Sequence, residues 1–130
     1  IILYLVGDFM LKKEMINGLR KASPEKRYKS FLNTVADSGN VWLLASEEGY
    51  ATIDVEGYIY VMVWPHREFC EFMQSEDEKP VSMEVHNFLE NCSKLNTSVR
   101  FMVFPTEANA YMVSAEQLCA DIQDHLDEVE

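Results

Sequence analysis

The stretch VWLLASEEGYATIDVEGYIYVMVW, residues 41–64, decides the fold. Val41-Trp42-Leu43-Leu44-Ala45 is apolar at every position, as in a strand covered on both faces. Glu47-Glu48-Gly49 then turns the chain. Ala51, Ile53 and Val55 alternate with Tyr50, Thr52 and Asp54, the period of a half-buried strand. Glu56-Gly57 supplies a two-residue hairpin turn, and the run from Tyr58 to Trp64 has the β-branched and aromatic content of a third strand. Short turns between three strands mean an antiparallel meander.

Helices flank this meander. Ser23-Pro24-Glu25 places a capping hydroxyl, a proline at the first helical position and an acid near the positive end of the helix dipole. Tyr28, Phe31, Leu32, Val35 and Ala36 follow at helical spacing, and Gly39 suits a left-handed cap. Leu11, Met15, Ile16 and Leu19 point to a shorter helix before it. On the other side, Pro65 ends the third strand and can open a helix bearing Phe69, Phe72 and Met73. Ser75 to Lys79 reads as an acidic loop, and Val81 to Met83 as a short strand. Val85, Phe88, Leu89 and Cys92 stand at i, i+3, i+4 and i+7, an amphipathic helix. Strands are expected near 99–104 and 111–113, the first stopped by Pro105. Ser114 with Gln117 begins a last helix whose inner face is Ala115, Leu118, Cys119, Ile122, Leu126 and Val129. The class is α+β, a mostly antiparallel sheet with helices mainly on one face. The expected layout is an N-terminal extension over residues 1–22 with a short helix, then one domain over residues 23–130.

The 130 residues suffice for one core without staples. Eleven basic and 22 acidic side chains give a formal charge of −11. That excludes the cationic footprint of a general nucleic-acid binder and disfavours an anionic membrane surface. Residues 1–40 carry seven basic and four acidic groups, whereas residues 41–130 carry four and eighteen. The three cysteines, Cys70, Cys92 and Cys119, are an odd number at wide spacings, which fits a reducing cytoplasm better than a disulfide framework. The apolar opening Ile1 to Phe9 is too short to span a membrane and lacks the order of a secretory signal. It reads as a packed strand or an extension, with Met10 a possible natural start.

Several segments together, VWLLASEEGY (41–50), VWPHREFCEFM (63–73), VHNFLENC (85–92), MVFPT (102–106) and VSAEQLCADI (113–122), resemble a bacterial family, domain of unknown function 2750. The resemblance covers about Ser23 to Glu128. It implies a small bacterial protein and transfers no activity, cofactor or catalytic residue.

The most distinctive polar cluster is Trp64-Pro65-His66-Arg67-Glu68, where a strand hands over to a helix. Free backbone N–H groups and the planar fork of Arg67 could hold an anion there; equally, tryptophan and proline could simply fix the corner. Trp42, Trp64, His66, Arg67 and Glu68 are therefore the candidate binding residues. His66 and Cys70 share a helix face, but a second pair of ligands is missing, so no metal or other cofactor is expected. No phosphate loop, GxSxG or HExxH motif occurs. The acids Glu47-Glu48 and Glu76-Asp77-Glu78 fall in loops, where solvated charge is the ordinary state. Trp42, Tyr50, Tyr58, Tyr60 and Trp64 could leave aromatics on an uncovered sheet face. The leading expectation is a non-catalytic acidic module binding a basic protein or a second copy of itself, an inhibitor- or immunity-like partner being one version of it. The alternative is a small-molecule or catalytic site at the Trp64–Glu68 corner.

Overall fold

The computed structural model describes residues 13–129. The readings made for Ile1 to Phe9 and Met10 lie outside the described residues. Residues 13–21 are helical (α1). There follow α2 (Pro24–Ser38), β1 (Asn40–Ser46), β2 (Gly49–Tyr50), β3 (Thr52–Val55), β4 (Tyr58–Val63), α3 (Arg67–Cys70), β5 (Lys79–Glu84), α4 (Val85–Cys92), β6 (Val99–Val103), β7 (Tyr111–Ser114) and α5 (Ala115–Val129).

The local signals act as their chemistry requires. Ser23 caps α2 by accepting from the Lys26 N–H at 3.2 Å, and Gly39 ends it at φ 77° with its N–H on the Val35 carbonyl. Glu56 and Gly57 both hold positive φ, 50° and 86°, as a type I′ turn demands, and Val55 pairs with Tyr58 across it. Ser114 caps α5 through the Gln117 N–H at 3.1 Å. The Gln117 side chain turns to Asp121 instead of back to the cap, so only half of a capping box forms.

The α+β class holds, but the strands form two sheets. Sheet A has the order β2-β1-β5 and is antiparallel; sheet B has the order β3-β4-β6-β7, with β4 and β6 parallel. The second meander strand breaks at Ala51. Its N–H still donates to Leu44 of β1 at 2.8 Å, while the next residue, Thr52, already pairs with Val61 of β4. The parallel pair follows from the long return through α3, β5 and α4, because a parallel partner needs a crossover. Trp42 and Trp64 exchange backbone hydrogen bonds at 2.9 and 2.8 Å and join the sheets where they meet.

Helices α2 and α5 pack on sheet B, and α3 and α4 on sheet A. Phe31, Val35, Val41, Trp64, Phe69, Phe101, Phe104 and Leu118 are almost fully enclosed between them. Each large side chain buried this way contributes about 1.5–3 kcal/mol. Helix α1 is tied to the domain by Arg20, which meets Glu107 at 2.6 Å and lies over the Phe72 ring.

Candidate functional site

The strand-to-helix corner is built around a buried polar knot. Trp64 is 0% exposed, and its indole N–H donates to the Pro105 carbonyl at 3.0 Å. Phe104, at φ 53°, donates its N–H to the Val63 carbonyl at 2.7 Å. Behind it lies Arg27 of α2, 1% exposed. Its guanidinium donates to the carbonyls of Phe104 (3.0 Å), Ala22 (2.5 Å) and Asn109 (3.1 Å), and also to the Asn109 side-chain oxygen. Burial lowers the Arg27 pKa, opposed through space by Glu107 and then Glu25. A buried cation without a touching carboxylate survives because carbonyl dipoles replace its water. Thr106 folds the loop by accepting from the Ala108 and Asn109 N–H groups. Among the described residues, no buried side-chain nitrogen or oxygen lacks a partner. Sequence reasoning did not single out Arg27, since nothing local distinguishes it from the solvated lysines beside it.

The five candidate residues do not form one surface. Trp64 is sealed inside, Trp42 is half-buried on β1, and Arg67 points to solvent. His66 and Glu68 are half-buried and border a cavity of about 110 Å3 with Met15, Ile16 and Phe69. His66 is the cap residue of α3 but makes no side-chain capping bond, and α3 is a single turn. Cys70 is fully enclosed and donates weakly to the His66 carbonyl. Burial pushes its thiol up to about 12, so it stays protonated at neutral pH and is a poor nucleophile. Among the described residues, no three His, Cys, Asp or Glu side chains converge as a metal-binding group.

The aromatics also divide. Tyr50 stands exposed on β2 at the edge of sheet A. Tyr58 is exposed on sheet B, while Tyr60 beside it is buried. The Arg100 guanidinium lies 5.2 Å from the Tyr58 ring centre and 5.9 Å from that of Tyr60.

What the fold does bring together is acid. The pairing of Ala45 with both Tyr50 and Lys79 places the β1–β2 turn next to the loop that leads into β5. Glu47, Glu48 and Asp77 thereby border one cleft of about 620 Å3, with Ala45, Ser46, Lys79 and Val81. All three carboxylates belong to exposed residues, and none is within ion-pair distance of a cation among the described residues. The two acidic loops were separate features in the sequence. Their convergence depends on the β1–β5 register, for which no local signal exists.

A second cleft, of about 400 Å3, runs between the end of α4 and the start of α5 and is bordered by both Cys92 and Cys119. All three cysteines are free thiols.

No curated protein matches the chain. A family model, "Protein of unknown function (DUF2750)", matches residues 28–122, a span that holds Trp64, the Arg27 partners Phe104 and Asn109, the acidic cleft and both cysteines of the second cleft. The chain belongs to the DUF2750 family of proteins of unknown function.

Proposed function

We propose that this protein is a non-catalytic binding module whose acidic cleft at the tip of sheet A receives a basic segment of a partner protein. The observation that carries the reading is the convergence of Glu47, Glu48 and Asp77 on one cleft with Lys79 as the nearby cation. Like charges gathered without internal partners repel one another, and a cationic partner relieves that repulsion. Tyr50, exposed and directly across from Ala45, adds the aromatic contact that protein interfaces favour. Such complementarity chiefly raises association rate and selectivity and weakens with salt. The −11 charge of the chain favours a basic protein over a nucleic acid or an anionic membrane. An inhibitor or immunity protein that covers a basic toxin is one form of this function. Three free thiols and the family resemblance fit a bacterial cytoplasm, and no helix among the described residues is long and apolar enough to cross a membrane. The corner at Trp64 to Glu68 draws less support as a small-molecule site, because Trp64 is sealed and the adjoining cavity is small.

The test is affinity capture from a bacterial lysate with the full chain and with its E47Q/E48Q/D77N variant as baits, at low and high salt. The expected result is a basic protein held by the parent chain at low salt, released at high salt, and not retained by the variant. Equal capture by both baits, or capture only of a second copy of this chain through another face, contradicts the reading.

A further inference from the structure

We infer that Cys92 and Cys119 form a dithiol site that exchanges with small cationic disulfides, Cys119 attacking and Cys92 resolving. The two residues come from different helices, yet both line the cleft of about 400 Å3 between α4 and α5. The two thiols are close enough for each to act on the ionisation of the other. Cys92 is nearly enclosed, whereas Cys119 is partly open to the cleft. The interaction with Cys119, together with burial, holds the Cys92 proton in place; the same interaction lowers the Cys119 thiol below its usual range. That asymmetry orders the two attacks of thiol–disulfide exchange: the accessible Cys119 thiolate attacks first, and once it is tied up in a mixed disulfide the influence that chiefly holds the Cys92 proton is gone, so Cys92 can ionise for the second. Cys70 is walled off in the core and takes no part. The cleft has space for a small molecule, and Glu116 is the one charged residue that borders it among the described residues. A cationic disulfide is therefore favoured over an anionic one.

In the first step the Cys119 thiolate attacks one sulfur of the disulfide. The ligand's S–S bond breaks, one thiolate leaves and takes a proton from solvent, and a mixed disulfide remains on Cys119. In the second step Cys92 gives up its proton to solvent and its thiolate attacks Sγ of Cys119; the mixed S–S bond breaks, and the second departing thiolate takes a proton from solvent. Two protein thiols are oxidised to one disulfide, and one small disulfide is reduced to two thiols.

The probe is cystamine, with oxidised glutathione as the anionic comparison, acting on the full chain and followed by acid quenching, intact mass and peptide mapping. The parent chain is expected to lose two hydrogens and yield linked Cys92 and Cys119 peptides, with cystamine about tenfold faster than oxidised glutathione. Cys92→Ser is expected to stop at one cysteamine adduct on Cys119, and Cys119→Ser to gain none over the same time. A folded parent chain that stays reduced, links another pair, or reacts equally fast with both disulfides overturns the proposal. So does a Cys119→Ser chain modified as readily as Cys92→Ser. The parent-chain peptide map decides the matter even where a variant fails to fold.

Discussion

At one end of β1, Trp42 exchanges hydrogen bonds with Trp64, and among the described residues no buried side-chain nitrogen or oxygen is left without a partner. At the other end, Ser46 runs into Glu47 and Glu48, whose carboxylates have no cation within ion-pair distance among the described residues. The first end satisfies its own chemistry, so its residues are committed to stability. The second leaves charge uncompensated, and uncompensated charge is what a partner can recognise. The most conspicuous residues in the sequence, tryptophan and proline, mark the structural end; the plainest, glutamate in a turn, mark the end available for binding.

Substitutions at the two ends should therefore differ in kind. The largest effect belongs to Arg27→Ala, which leaves three backbone carbonyls and the Asn109 side-chain oxygen without their donor. It should cost at least ~3 kcal/mol in urea unfolding, enough to unfold a marginal domain. A loss below ~1 kcal/mol would mean that water replaces the guanidinium and that the knot is not sealed. Trp64→Phe keeps an aromatic ring but removes the bond to the Pro105 carbonyl and leaves a small cavity where the rest of the indole sat, and should cost ~1–3 kcal/mol.

Alkaline titration examines the same buried end without altering a large side chain. The folded Cys70 thiol is raised to about 12 by burial, against an ordinary value of 9.0. The unfolded chain therefore releases this proton first, and the stability tied to it is complete below pH 9.0 and lost as pH rises toward about 12. Tyr28, raised by burial and by its bond to Asp121, acts in the same direction above pH 10.0. Cys70→Val should flatten the fall in thermal midpoint that begins near pH 9.0; an unchanged slope would show that the thiol reaches water. Smaller still, Ser23→Ala removes a cap and should cost ~1 kcal/mol.

Much of the fold was legible because its signals are local. Ser23 and Gly39 bound α2, Glu56-Gly57 forms the hairpin, and the spacing of Val85, Phe88, Leu89 and Cys92 gives α4. The single meander sheet was not the outcome, because Ala51 continues an alternating pattern and nothing in its neighbours records that its bonds go to one sheet and those of Thr52 to another. The parallel β4–β6 pair is equally silent in sequence, since its register joins Ile59 to Val99 across two helices and a strand. The same limit applies to the sites. Glu47 and Asp77 read as separate loop acids, and Cys92 and Cys119 as separate members of apolar stripes, until tertiary packing places each pair on one cleft.

The sharpest test of the contrast between the two ends of β1 is an amide and indole NMR titration of the full chain with a lysine- and arginine-rich peptide at low salt. The account predicts saturable shifts at Glu47, Glu48 and Asp77 that vanish at high salt, with the Trp64 indole N–H resonance unmoved. Shifts spread evenly over exposed acids such as Glu116, Asp124 and Asp127 of α5, or centred on His66 to Glu68, would contradict it.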